Sequence, residues 1–423
     1  MKTTTLIEKI NNREYDQKIT SLYLDASLTD YHRARYVKLL EEFQRRFGQD
    51  DVSLLSVAGR SEVGGNHTDH QHGKVIACSI NLDMIAVCRK NETVTLWSDG
   101  HKVEVDPSHI VALEREKGTT ISLVKGVLSR MKELGYQIGG FDCVMTSDVL
   151  VGSGMSSSAA FEDMIGYIIS CLYNDSEIPY VEIAKIGQYS ENVFFGKPSG
   201  LMDQVACGVG GLVNIDFFDV ENPVVKKVDV DFSKYNYSLC LVDTKGSHAN
   251  LTDEYAAIPY EIKEIANYFG KNYLSEVEYQ QVVDNIVELR NKFSDRAVLR
   301  ALHVLKENER VDKEVYCLEN DDFAGFLKYV QASGNSSYKY LQNVYANSDY
   351  NNQSISIGLN MSEDILGDNG VCRVHGGGFA GTIQAFVKNG FVDEYKERIE
   401  KVFGKGSCHV LKIREHGCYR FEK

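Results

Sequence analysis

Positive charge is in short supply in this chain: 46 Lys and Arg stand against 60 Asp and Glu, a net charge of −14. A surface for nucleic acid or for an anionic membrane needs the opposite balance, so a general role of either kind is excluded. An anion held in a local pocket is not. No apolar run approaches the length that spans a bilayer. The opening stretch Met1-Lys2-Thr3-Thr4-Thr5-Leu6-Ile7-Glu8-Lys9 meets charge too early for a secretory signal. The ten cysteines contain no Cys-x-x-Cys pair, and no Cys/His cluster has zinc spacing. A chain of 423 residues needs no disulfide scaffold, so free thiols and a cytoplasmic location are expected. There are only five prolines, with no Gly/Ser linker, repeat or low-complexity stretch, so the domains should pack closely. What is present is ordinary for a globular enzyme: 43% apolar and 25% charged residues. At about 100–200 residues per domain, the length suggests two or three domains.

Apolar periodicity places the elements. Residues 31–47 read as a helix, with Tyr36, Leu39, Leu40, Phe43 and Phe47 on one face. Residues 54–58 read as a buried strand that ends at Gly59 and opens into a loop rich in Gly, Asn, His and Asp. Strands are expected at 75–80, 84–89, 94–97, 141–145, 213–216, 237–243, 382–387 and 408–413. Helices are expected at 119–134, 159–172, 180–195 and 393–402, and mostly helical chain at 254–348. Strands and helices mix without regular βαβ alternation, which suggests an α+β protein.

The strongest chemical signal is Gly152-Ser153-Gly154-Met155-Ser156-Ser157-Ser158-Ala159-Ala160, between an expected strand and an apolar helix. Its glycines allow a tight turn and close approach to a ligand. Its serines supply hydroxyls, and the helix start offers free N–H groups at the positive end of the dipole, which suits phosphate. It is not a Walker A loop, because no Lys follows the second glycine.

Two further segments accompany it: Gly59-Arg60-Ser61-Glu62-Val63-Gly64-Gly65-Asn66-His67-Thr68-Asp69-His70-Gln71 and Gly376-Gly377-Gly378-Phe379-Ala380-Gly381. These three glycine-containing loops, in this order, resemble the three motifs of the GHMP small-molecule kinases. The Gly59-Arg60 pair, His67-Thr68-Asp69, Gly200-Leu201-Met202-Asp203-Gln204 and Ser190-Glu191-Asn192 resemble the galactokinase branch more than the mevalonate or homoserine branches. The resemblance runs from about residue 55 to 385.

It implies a two-lobed α+β GHMP kinase fold. Residues 1–215 would form a lobe like domain 2 of ribosomal protein S5, and residues 216–423 a ferredoxin-like lobe. It implies phosphorylation of the anomeric hydroxyl of galactose by ATP with Mg²⁺. Gly152, Ser153, Gly154, Met155, Ser156, Ser157 and Ser158 would hold the triphosphate, with Ser98 on the nucleotide side. Ser158 and Glu191 would take the metal. Asp203 matches the catalytic carboxylate and Arg60 its partner. Asn66, His67, Thr68, Asp69, Gly200 and Tyr255 would face the sugar. The partners implied are therefore a sugar and ATP, without nucleic acid or membrane, and a monomer is expected.

The chain departs from the family pattern in four places. Asn66 stands where galactokinases carry a Glu that contacts the C6 hydroxyl, and an uncharged amide would also tolerate a C6 carboxylate. That leaves galacturonate, or another C6-modified sugar, as an alternative substrate. Leu150 replaces Pro, His375 replaces Thr, and Ala380 replaces Gly. A galactose- and ATP-binding sensor without turnover is the second alternative, and the presence of Ser158, Ala159 and Asp203 favours an enzyme. His248, His303 and His375 lack ligand spacing and are expected to be structural. Trp97 is expected in the core.

Overall fold

The structure, a computed structural model, describes residues 1–149, 154–230, 232–247 and 251–422, and the side chain of Ser233 is left aside. Leu150, Gly152, Ser153 and His248, singled out in the sequence, lie outside the described residues. The strands are β1 (Ser53–Gly64), β2 (Lys74–Asn91), β3 (Val94–Ser98), β4 (His101–Val105), β5 (Gly140–Ser147), β6 (Leu212–Asp216), β7 (Val224–Val228), β8 (Tyr237–Asp243), β9 (Gly370–Val374), β10 (Thr382–Lys388), β11 (Cys408–Leu411) and β12 (Cys418–Arg420).

Eight strands form one sheet in the order β12-β1-β2-β5-β3-β4, with β6 on β2 and β7 on β6. Neighbouring residues alternate between its two faces. Leu55, Ala86 and Met145 pack against the helices Thr120–Glu133 and Ser157–Tyr173. Leu54, Val87 and Val144 pack against Thr3–Asn11, Asp16–Tyr23 and Thr29–Phe47. Helices on both faces explain why all twelve residues of β1 are buried. The two N-terminal helices carry short apolar stripes (Leu6 and Ile10; Ile19, Leu22 and Tyr23) that the sequence reading passed over. Trp97, expected in the core, is only half-buried and packs against this second face, with the Arg46 guanidinium over its ring.

The strands expected at 75–80 and 84–89 are one strand, β2, 18 residues long. The polar interruption within it is paid for by distant chain. Asn81 exchanges hydrogen bonds with the backbone of Lys412. Buried Asp83 accepts from Arg35 at 2.5 Å and Arg414 at 3.1 Å.

The second sheet, β11-β8-β10-β9, is antiparallel throughout. Helices Ser354–Leu366 and Val392–Phe403 cover one face. Residues of Asp295–Glu319 and Phe323–Ser336 cover the other. The expected helical stretch is thus a set of helices, of which Asp295–Glu319 is the longest at 25 residues. The expected helix 180–195 is α-helical over Tyr180–Tyr189 and widens into a π-helix over Ser190–Phe195. Single π turns of this kind are frequent at functional sites. Among the described residues, no helix is long and apolar enough to cross a membrane.

Candidate active site

Two irregularities in the β1–β2 ladder, between Ala58 and Arg60 and between Glu62 and Gly64, set the geometry. Bulges re-aim side chains. The short regular stretch between them points Arg60 at the first turn of the helix Met202–Val209. Arg60 Nε and Nη2 donate to Asp203 Oδ1 and Oδ2 at 2.7 and 2.6 Å, a bidentate fork. Arg60 Nη1 donates to the carbonyl of Gly154, and the Arg60 amide to the carbonyl of Met155 at 3.2 Å. Ser156 Oγ donates to Asp203 Oδ2. Residues 60, 154–156 and 203, far apart in sequence, therefore meet at one point.

Burial alone would raise the Asp203 pKa. The charge and hydrogen bonds of Arg60, with the Ser156 hydroxyl, more than reverse that and hold the carboxyl below the usual range.

The described part of the Gly/Ser loop leads directly into the helix Ser157–Tyr173. Gly154 has φ of 73° and Ser156 of 55°, both left-handed. Because Ser156 spends its hydroxyl on Asp203, it does not cap the helix Ser157–Tyr173, whose first N–H groups are left without a side-chain cap. Met155 is fully buried beside Val149 and anchors the loop in the core. Ser157 and Ser158 open the helix, half-buried. Ser98 ends β3 in parallel register with Met145 of β5, the strand that leads into the loop.

Asp69 is half-buried, and its carboxylate has no hydrogen-bond partner among the described residues. A Cβ added at Gly200 would run into Asp69 Oδ2, so this glycine is needed for the close approach. The rest of the sugar loop is largely spent on itself. Thr68 Oγ1 donates to the carbonyls of Gly65 and Lys74 at 2.8 and 2.5 Å and closes the loop. His67, at φ of 61°, donates Nε2–H to Gly377 O at 3.0 Å and accepts at Nδ1 from His70 Nε2 at 3.1 Å. Burial, and then the neighbouring His70, push its pKa down to about 3. Asn66 is buried and its amide is saturated. Nδ2 donates to Gly376 O at 2.7 Å and Glu62 Oε1 at 3.2 Å, while Oδ1 accepts from Asn343 at 2.9 Å and Ser337 at 3.1 Å. The free amide expected from the sequence is therefore not on offer to a ligand: Asn66 ties the sugar loop to the third glycine loop. Tyr255 does similar work, donating its hydroxyl to Gly378 O at 2.6 Å and meeting Phe379 edge-on.

Glu191, in the π-helix, is buried. Its Oε1 takes Lys197 Nζ at 3.0 Å, and its Oε2 takes Gln204 Nε2 at 3.3 Å. Gln204 also donates to Glu162 Oε2 at 2.9 Å, while Glu162 Oε1 is buried with no partner. Burial, and then the Glu191 charge, raise the Glu162 pKa well above normal. Among the described residues, no cluster of three or more His, Cys, Asp or Glu is placed to hold a metal ion.

Four residues at the site were not expected there. Buried Arg373 donates Nη2 to Glu62 Oε1 and Nη1 to Val63 O. His375 accepts at Nε2 from the Glu62 amide at 3.3 Å and meets Thr382 through Nδ1 at 2.9 Å. From the long helix, His303 donates Nε2–H to Asn66 O at 3.0 Å, and Glu307 accepts from Asn66 N at 3.3 Å. The two histidines are structural, as expected, but they sit against the site itself. Only the period of the polar residues on the long helix could have signalled this.

The pattern named GHMP kinases N terminal domain matches residues 122–211, and the galactokinase galactose-binding signature matches residues 41–90. Both patterns match parts of this chain. Among curated relatives, the galactokinase of Actinobacillus pleuropneumoniae serotype 5b is 28% identical over 370 residues, 86% of this chain and 93% of that one. The galactokinase of Limosilactobacillus reuteri is 28% identical over 389 residues, with the same 86% and 93% coverage. The fold resembles a solved Lactococcus lactis galactokinase complexed with galactose, at a TM-score of 0.77 and 22% identity, covering 90% of this chain and 98% of that one. It also resembles an L. major mevalonate kinase, at a TM-score of 0.56 and 15% identity, with 85% and 95% covered. The GHMP kinase fold anticipated from the motifs is therefore the fold of this chain.

Proposed function

We propose that this protein transfers the γ-phosphoryl group of ATP to the anomeric hydroxyl of galactose. The observation that carries the proposal is that the Gly/Ser loop meets the Arg60–Asp203 pair, with the Asp69 carboxylate close against Gly200, three residues before Asp203. Its galactokinase relatives supply the substrate.

The transition state of phosphoryl transfer is loose, so alignment and charge stabilisation do most of the work. The uncapped start of the helix Ser157–Tyr173 and the loop before it receive the triphosphate. Asp203, kept ionised by Arg60, accepts a hydrogen bond from the anomeric hydroxyl and orients it, taking the proton late. Arg60 offsets charge developing on the transferred group. Asp69 accepts from two neighbouring sugar hydroxyls, with the backbone of Gly200 against the ring.

The donor set fits Mg²⁺. One hydroxyl (Ser158) and one carboxylate (Glu191) suit an ion that takes its other ligands from water and phosphate. Behind Glu191, Glu162 Oε1 is buried and has no partner among the described residues. When bound, the ion would screen the phosphate charges. Lys197, the present partner of Glu191, is 61% exposed and free to swing away.

All ten cysteines are buried free thiols, which supports work in the reducing cytoplasm as part of this reading, in which the protein acts as a monomer. The intact Arg60–Asp203 pair favours turnover over a sensor. The test is ADP release from Mg-ATP with a panel of galactose, galacturonate, N-acetylgalactosamine, arabinose and fucose. Galactose should give the highest kcat/KM, and galacturonate outperforming it would overturn the substrate assignment.

A further inference from the structure

Glu62 is buried, with its side chain 5% exposed. Its Oε1 is taken by Arg373 and by the Asn66 amide. Its Oε2 accepts from nothing among the described residues, yet it is not one of the sealed, partnerless buried atoms. One oxygen of an otherwise committed carboxylate thus has acceptor capacity left. Between the two ladder irregularities, Arg60, Ser61 and Glu62 pair regularly with Ser79, Cys78 and Ala77. Arg60 and Glu62 therefore share a face of β1, about 7 Å apart along the strand. Arg60 grips Asp203 at the reacting end. Glu62 lies two residues further along the strand, near enough to Asp69 to feel its charge. Asn66, at the position the family pattern gives to the C6 contact, has no hydrogen-bonding capacity left.

We propose that Glu62 Oε2 is the acceptor for the C6 hydroxyl of the sugar, making Glu62 a specificity-determining residue that selects a neutral hexose and rejects a C6 carboxylate. This rests on the galactose 1-kinase reading above and sharpens it. A uronate would place a third carboxylate beside Glu62 and Asp69, while Arg60 and Arg373 are already matched by Asp203 and Glu62. An isolated carboxylate brought into such a site is opposed by desolvation and by like charge.

The experiment measures kcat/KM with galactose, 6-deoxygalactose and galacturonate for wild type, Glu62→Ala and Glu62→Gln. Wild type should prefer galactose over 6-deoxygalactose by about tenfold or more, because a site built to bond a hydroxyl discriminates against its absence. Glu62→Ala should bring that ratio close to one. Because the ratio is taken within one preparation, partial unfolding of the variant cancels. Glu62→Gln, which keeps the shape and loses the charge, should raise galacturonate relative to galactose by about tenfold, the charge being the barrier. Equal losses on galactose and 6-deoxygalactose in Glu62→Ala, or no gain on galacturonate in Glu62→Gln, would overturn the assignment and leave Glu62 as a counter-ion for Arg373. A wild-type protein inert toward all three sugars would overturn the kinase reading itself, and this assignment with it.

Discussion

The bidentate Arg60–Asp203 pair keeps Asp203 ionised and fixed. In the proposed reaction that geometry would suit orienting a hydroxyl better than early proton abstraction. Asp203→Asn keeps the shape and removes the charge. It should retain a melting temperature near that of wild type and lose kcat by roughly 10²- to 10⁴-fold, the usual contribution of a positioned acid–base group. Activity within a few-fold of wild type would refute the role. Gly200→Ala should act on one substrate alone. The added methyl displaces Asp69, so the sugar KM rises while the ATP KM stays put, a split readable from initial rates. At this scale the sequence anticipated that Arg60, Asp203 and the Gly/Ser loop would meet. It did not anticipate that the Asn66 amide would be saturated by the protein. Which of two nearby polar side chains, Asn66 or Glu62, is spent on the protein depends on Arg373, Ser337 and Asn343, all more than 270 positions away.

The element that does most for the site without entering it is the helix Asp295–Glu319. Arg300, His303, Glu307 and Glu314 form a buried polar stripe at helical spacing. His303 and Glu307 hold Asn66 at one end of the sugar loop. Asn308 accepts from Lys74 N at 2.9 Å, and Asp312 pairs with Lys74 Nζ at 2.8 Å, at the other end. His303→Ala leaves the Asn66 carbonyl without its donor, and an unsatisfied buried group costs about 1–3 kcal/mol. Denaturant titration should show a loss of that size together with a raised sugar KM. A stability loss with unchanged sugar KM would separate the helix from the loop. The sequence pattern indicated helical chain over 254–348, without this helix's bounds or its polar stripe. What the stripe faces was not legible either, because periodicity reports a face and not a partner. The unbroken β2 was misread for the same reason: Asn81 and Asp83 look like a turn until Lys412, Arg414 and Arg35 come in to satisfy them.

Across the whole molecule, the buried histidines couple stability to pH. Burial, as the leading cause in each case, lowers His32 and His303 to about 4 and His67 to about 3, and His375 well below its ordinary value. In the unfolded chain each would protonate at about 6.5. As pH falls from about 6.5 toward 4, the unfolded state takes up protons that the folded state refuses, so stability present above 6.5 is lost over that window. Asp83 and Glu307, both lowered to about 2, add a second loss, which starts near the ordinary carboxylate pKa of about 4 and runs down to about 2. Over the same window Glu162, Asp163 and Glu314, whose pKa burial raises, act in the opposite sense, so the ring contribution is read by comparing wild type with His303→Gln: the variant's melting temperature should fall less between pH 6.5 and 5, and an equal fall in both would contradict the neutral burial of this ring. The two sheets, and the return of β12 to pair with β1, bring residues 60, 203 and 373 together.

The most direct measurement of the central claim is sugar-dependent ADP release from Mg-ATP by wild type and Asp203→Asn, run side by side with galactose. Robust release by wild type, and its near-complete loss in a variant that melts normally, is the expected result. No galactose-dependent release by the wild type, or equal release by both proteins, would contradict a phosphoryl-transfer site built on Arg60 and Asp203.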